Sequence, residues 1–268
     1  MTGNPLAPTF VAAGAEQLLG IEPVAFTAEH GELTMAAGPW FEDSSAGVVR
    51  SLVGVALDDV TGHVVAMGAP EGLWPVSLNI RLDFVSDPPT DGSVMTVVGD
   101  LVHRDDSSGT TRGCVRDTQG SVVALVTQRS HLVAFAGPLG ADVVTVSRAE
   151  GVREFRQLLQ FGPPRSGAPL IMSPSPFSAN GMRNVHGGIL IAGSELAAMD
   201  ALDAAGTLRT TSIDISYVRP GVGTADTVFE AEVIHRGKSA AVVRVISRNA
   251  SGKPCSFATV TVQPGKAL

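Results

Sequence analysis

The chain has 268 residues, 44% of them hydrophobic and 17% charged, the make-up of a core-rich globular protein that fills one large domain or two small ones. Its net charge of −7, with 16 Arg and 3 Lys among the 19 basic residues, argues against a nucleic-acid partner. No apolar run reaches the ~18 residues a spanning helix needs, so no membrane role is expected, and the opening MTGNPLAPTF lacks the regions of a signal peptide.

Residues 1–9 are expected to be loose, and Phe10–Leu19 is a short helix candidate. From there a pattern occurs twice. Leu33-Thr-Met-Ala-Ala-Gly-Pro39 is echoed by Leu170-Ile-Met-Ser-Pro-Ser-Pro176, a shift of 137 that places Asp43 on Asn180, Val49 on His186 and Asp58 on Glu195. Asp58 lies in SLVGVALDDVTGHVV, an apolar, helix-like run. The strand Ser77–Phe84 then matches Thr210–Tyr217 at a shift of 133, and Val102-His103-Arg104 matches Ile234-His235-Arg236 at 132. Arg116–Gly120 and Arg248–Gly252 supply matching turns between the last two strands of each copy. Cys114 and Cys255 sit in strand-like runs and read as free thiols of a reducing, cytoplasmic compartment.

These matches predict an α+β chain of two tandem units. Each is a long central helix wrapped by an antiparallel sheet, and the two sheets pair edge to edge into one, which removes an open edge. The boundaries are an N-terminal unit of residues 1–140 with its leading helix, a linker helix within 141–166 and a C-terminal unit of 167–268. Within the linker, Ser147–Phe161 has a capping pair, Ser147 with Glu150, and an apolar face of Val152, Phe155, Leu158 and Leu159.

The stretch Asn180–Asp200, NGMRNVHGGILIAGSELAAMD, carries the chemistry. It reads as a loop entering a buried helix. Asn180 stands six residues before His186, Gly187-Gly188 follow, and Glu195 comes nine after His186. A Gly-Gly pair at a helix start leaves backbone N–H groups bare, which suits an anion or a polarised carbonyl oxygen. A carboxylate buried two turns further on needs a use or a partner. No cluster with metal-ligand spacing is visible, so no metal is expected.

This pattern, with Thr210 opening a strand that ends Tyr217-Val-Arg-Pro220, resembles the hotdog-fold acyl-CoA thioesterases of the phenylacetate-pathway type. The resemblance implies a site between two units. There an Asn and the Gly N–H after His polarise a thioester carbonyl, and an acid on the facing helix activates water or attacks, helped by a Ser or Thr. Carried over, Asn180, His186 and Gly187 face Asp58 and Ser77, with Gly188 on the coenzyme A side and Asp59 as the substitute if the shift slips by one. The reciprocal set of Glu195 and Thr210 faces Asp43, Val49 and Arg50 and is degenerate. His186 orients the loop or binds substrate rather than acting as a general base. The implied substrate is an acyl-CoA, with no cofactor beyond the substrate's own coenzyme A, and two-unit chains of this kind leave room for a homo-oligomer.

Bland readings stand beside these. Asp58 pairs with Arg50 or Arg81, Asn180 is a turn residue, His186 is a structural histidine, and the two glycines serve helix packing. Aromatic content of 5% suggests a pocket of Val, Leu, Ala and Met. A non-catalytic acyl-CoA or lipid-binding protein is the competing function. A hotdog hydratase is disfavoured, because no Gly-Asp-x-Asn-Pro-x-His stretch occurs.

Overall fold

A computed structural model describes residues 10–135, 145, 154–165 and 167–265. The first apolar turn is α1 (Gly14–Leu19), stopped by Gly20 in the left-handed conformation, φ 58°. A hairpin of β1 (Glu22–Phe26) and β2 (His30–Ala36) follows. A 3-10 turn at Pro39–Phe41 leads to the two-residue strands β3 (Glu42–Asp43) and β4 (Gly47–Val48). A second turn, Arg50–Val53, opens α2 (Gly54–Ala66). Four long strands complete the first half: β5 (Leu73–Phe84), β6 (Val94–Arg104), β7 (Ser108–Arg116) and β8 (Val122–Ala134). The second half has α3 (Phe155–Leu158), β9 (Leu170–Met172), a 3-10 turn at Pro176–Ser178, α4 (Gly187–Ala201), β10 (Leu208–Tyr217), β11 (Thr227–Arg236), β12 (Ala241–Arg248) and β13 (Pro254–Pro264). Both Gly-containing turns expected between final strands are present, with Gly120 at φ 80° and Gly252 at φ 75°.

The eleven longer strands form a single antiparallel sheet, ordered β1-β2-β6-β7-β8-β5-β10-β13-β12-β11-β9. Its centre is β5 against β10, paired from Asn79↔Ser216 to Asp83↔Ser212, and the order runs outward symmetrically from there. Along β8 buried and exposed residues alternate, as a sheet with one covered face requires. The covering elements are α2, on β2 and β5 to β8, and α4, on β9 to β13. Every residue of α4 from Gly188 to Asp200 is buried, which a helix apolar on all sides demands. Among the described residues no helix is long and apolar enough to cross a membrane.

The short helices cross over. α1 packs on the Pro176–Ser178 turn of the second half, while α3 packs on the Pro39–Phe41 turn and β3 of the first. Gln157-Leu158-Leu159 repeats Gln17-Leu18-Leu19 at a shift of 140, and all four leucines are buried. The expected helix Ser147–Phe161 is therefore present only as α3; its capping pair, Ser147 and Glu150, and Val152 lie outside the described residues, as do residues 1–9.

The two long helices touch at Gly188. A Cβ there would sit 2.4 Å from Val55 Cα and 2.8 Å from the Gly54 carbonyl carbon, so the site tolerates no side chain. Gly188→Ala is expected to cost about 2–3 kcal/mol through overpacking and to lower Tm by about 4–10 °C. Gly62→Ala, whose Cβ would meet its nearest neighbour at 3.7 Å, should be neutral or stabilising in the same thermal melts.

Candidate active site

Because α2 and α4 meet at their first turns, the next turn of α2 lies beside the N-terminus of α4. A cavity of about 540 Å³ opens there, and its wall includes Asp58, Ser77, Asn180, His186 and Gly187. Five residues chosen from sequence spacing thus come together from three elements and a loop. The bland pairing of Asp58 does not occur: Arg50 binds Asp87 and Arg81 binds Asp83.

Asp58 Oδ1 accepts the Ser77 hydroxyl at 2.7 Å. The β5–β8 register slips between Ser77 and Asn79, and such a bulge re-aims a strand side chain. Ser77 Oγ accepts from Gln128 Nε2 at 3.0 Å, and Gln128, on β8, is held in turn by Thr61 of α2. Burial pushes the Asp58 carboxyl above its ordinary value and Asp59 adds to the shift, while His186, Ser77 and Gln128 hold it back. The result is a carboxylate more basic than one in water, with its second oxygen uncommitted.

That oxygen, Oδ2, sits over Gly187: a Cβ on this residue would lie 2.4 Å from it. Tyr217 Oη donates to the Gly187 carbonyl at 3.0 Å and fixes the peptide. Among the described residues none accepts the Gly187 N–H, so the first donor of α4 is open to the cavity. Asn180 is a turn residue as well as a cavity residue. Its Oδ1 accepts from Met182 N and Asn184 N, which leaves Nδ2 as the free donor of the amide.

His186 caps α4. Its Nδ1 accepts the Gly188 N–H at 2.9 Å, so Nδ1 carries a lone pair and the ring proton is on Nε2, which donates to Asp59 Oδ1 at 2.9 Å. Glu16 Oε1, from α1, stands 3.6 Å from the same Nε2. Burial works against a charged ring, and Asp59 and Glu16 work in its favour. A second proton would have to enter at Nδ1 and break the helix cap. The geometry therefore fixes a neutral ring, and the excess proton rests on Glu16, whose carboxyl is pushed up to about 8 by burial and by Asp59. Glu16, Asp59 and His186 present ligand atoms within 4.8 Å of one another, a cluster the sequence spacing did not reveal. With its proton on Nε2 and Nδ1 occupied by the cap, this histidine has no lone pair to give a metal.

Two assignments need correction. Gly188 offers nothing to coenzyme A, because its N–H is spent on His186 and its Cα faces the backbone of α2. Glu195 and Thr210, both fully buried, are absent from the cavity wall. Glu195 Oε2 accepts both the N–H (2.8 Å) and the hydroxyl (2.5 Å) of Ser51. Around it, Val49 is core, and Arg50 binds Asp87 and the Thr210 carbonyl. Asp43 accepts from Ser45 N and Ala46 N and pairs with Arg156 of α3, which also binds Asp200 at 2.8 Å. The reciprocal position is thus filled by ion pairs and hydrogen bonds. The cavity wall also departs from the expected aliphatic one. Phe10, Trp74 and Tyr217 line it with Val11, Val133 and Leu190, and His63 bridges Phe10, Phe26 and Trp74 edge-on.

With the geometry in place, comparison with known proteins gives the class. The fold is that of hotdog thioesterases. The chain superposes with a TM-score of 0.63 on the tesB protein of Mycobacterium avium subs paratuberculosis (9% identity, covering 91% of this chain and 96% of that one). It gives 0.62 with the acyl-CoA thioesterase II TesB2 of Mycobacterium marinum (9% identity, 94% and 96%), and 0.60 with the 12:0-ACP thioesterase of Umbellularia californica (11% identity, 88% and 94%). Residues 173–263 match the family model of the acyl-CoA thioesterase N-terminal domain, a match over part of the second half of the chain. No curated protein matches the sequence.

Gly187 and Gly188 separate by experiment. Gly187→Ala drives a methyl into the Asp58 carboxylate rather than into backbone. It should lower kcat by about 10²-fold while shifting Tm far less than Gly188→Ala does.

Proposed function

We propose that this chain, as two tandem hotdog units, hydrolyses an acyl-CoA to the free acid and coenzyme A at the single site around Asp58. One observation carries the reading. A buried carboxylate whose pKa is raised lies against Gly187, the first residue of a helix, in the wall of a mostly apolar cavity. The thioester carbonyl oxygen binds the Gly187 N–H and Asn180 Nδ2. Asp58 Oδ2 takes a proton from water as its oxygen attacks the carbonyl carbon. The carbonyl electron pair moves to oxygen, where the helix dipole and the two donors stabilise it; one such donor is typically worth about 10²–10³ in rate. Collapse breaks the C–S bond, and the proton on Asp58 passes to the departing thiolate. Ser77, held by Gln128, keeps Asp58 oriented throughout. The acyl group lies among Phe10, Trp74, Val133 and Leu190. The domain match favours coenzyme A over a carrier protein as the leaving group, and the buried, unpaired Cys114 and Cys255 suit a reducing cytoplasm.

The test is thiol release from a panel of acyl-CoAs. Asp58→Asn is expected to reduce kcat by about 10²–10⁴, and Glu195→Gln should change it less than about threefold, since Glu195 is outside the cavity. Because the Asp58 pKa is raised, kcat should rise with pH along a limb displaced above the ordinary aspartate value. Binding of several acyl-CoAs without any turnover would replace the enzyme reading with the non-catalytic binding protein.

A further inference from the structure

We propose that Glu16 is a positioning residue of the site, delivered across the molecule by α1 to hold the His186–Asp59 pair in place. The inference rests on the thioesterase reading for its kinetic consequences and on geometry for its substance. α1 sits on the Pro176–Ser178 turn, where Gly14 is pressed so closely to the Pro176 carbonyl that a Cβ would lie 1.7 Å from it. That seating is needed to carry Glu16 to the far half. Its carboxyl is 4% exposed, and neither Glu16 Oε2 nor Asp59 Oδ2 has a hydrogen-bond partner. Buried polar atoms of that kind are costly and concentrate at working sites. The matching residue of the other leading helix is Arg156, which cements Asp43 and Asp200. The acid at position 16 faces His186 of the cavity wall instead of a buried cation pair.

The titratable groups against Glu16 are Asp59 of α2 and His186, the N-cap of α4, and Asp58, His63 and Tyr217 share the same cavity wall. Arg219, the one arginine in that wall, is engaged by the Pro254 carbonyl. With its proton on, Glu16 is neutral, Asp59 accepts from His186 Nε2, and Nδ1 accepts the Gly188 N–H. Loss of the proton places a second negative charge against the ring. Held 3.6 Å from Nε2, that charge opposes the oxyanion forming at Gly187. The carboxyl holds its proton to about pH 8, so the site is intact at neutral pH and fails above that. The same shift has a sign in stability. A carboxyl raised from 4.5 to about 8 on folding contributes stability that is complete below pH 4.5 and is lost as pH rises to about 8.

The experiment combines the kcat–pH profile with ¹⁵N chemical shifts of His186 in the native protein, Glu16→Gln and Glu16→Ala. In the native protein kcat should fall about tenfold per pH unit above about pH 8, and the His186 shifts should move through the same midpoint. Glu16→Gln, neutral at every pH, should lose both the alkaline limb and the shift change. Glu16→Ala should lose about 10–100-fold in kcat at pH 7 with little change in KM, and Gln should rescue most of that loss. An alkaline limb that persists unchanged in Glu16→Gln, or native His186 shifts that stay constant from pH 7 to 9, would overturn the proposal. A native protein that releases no thiol defeats the thioesterase reading instead, and the His186 titration still decides the role of Glu16.

Discussion

Gly188 lets the first turn of α4 lie directly on Gly54 and Val55 of α2, and the site depends on that contact. Asp58 is one helical turn beyond Gly54, so the same approach that packs the helices also sets a carboxylate over Gly187. Each helix is clamped by its own strands of one continuous sheet. A side chain at 188 would part the helices by more than the tolerance of a catalytic hydrogen bond. The sheet sets the distance from the other side. Ser77 is on β5, the strand that pairs with β10 across the junction, and its bulge turns the hydroxyl onto Asp58.

The two halves start from the same plan and differ at four positions that decide chemistry. Asp58 corresponds to Glu195, Gly188 to Ser51, Asn180 to Asp43 and Glu16 to Arg156. Glutamate is one methylene longer than aspartate. Glu195 reaches back with Oε2 to the Ser51 N–H and hydroxyl, whereas Asp58 bonds Ser77 and leaves the N-terminus of α4 to His186. Arg156 then ties two buried acids together. Removing one partner of such a buried pair typically costs about 3–5 kcal/mol. Duplication has divided the work, with one helix junction serving as an anchor while the other keeps an uncommitted acid and donor.

Spacing made the working residues legible. The shifts of 137 and 133 matched Asp58 to Glu195 and Ser77 to Thr210, and the resemblance to hotdog thioesterases set Asp58 and Ser77 opposite Asn180, His186 and Gly187. Other features had no such signal. Gln128 is one polar residue on an alternating strand, and only the fold brings it to Ser77. Gln17-Leu18-Leu19 and Gln157-Leu158-Leu159 are too short a match to stand out, yet they mark the exchanged helices that carry Glu16 and Arg156. Which of two adjacent glycines offers its N–H depends on the rotamer of His186, which sequence does not state. An average of 5% aromatic residues also hid their concentration at one place, since Phe10, Trp74 and Tyr217 come from distant segments.

A pocket holding Asp58, Asp59 and Glu16 is at first sight a poor place to develop a negative oxygen. The arrangement answers this by giving each acid a different state. Asp59 is bound to the Nε2–H of His186, and Glu16 keeps its proton at neutral pH. Asp58 is left as the one carboxylate able to accept a proton. In the proposed reaction it does so while charge appears on the carbonyl oxygen, so the pocket's net charge does not change. The negative charge only moves, from Asp58 Oδ2 to an oxygen on the Gly187 N–H, closer to the positive end of α4. A short transfer of existing charge toward a fixed dipole avoids the reorganisation that makes the same step slow in water. Glu16 must stay neutral for this balance to hold, which is why a residue from the other end of the fold belongs to the argument.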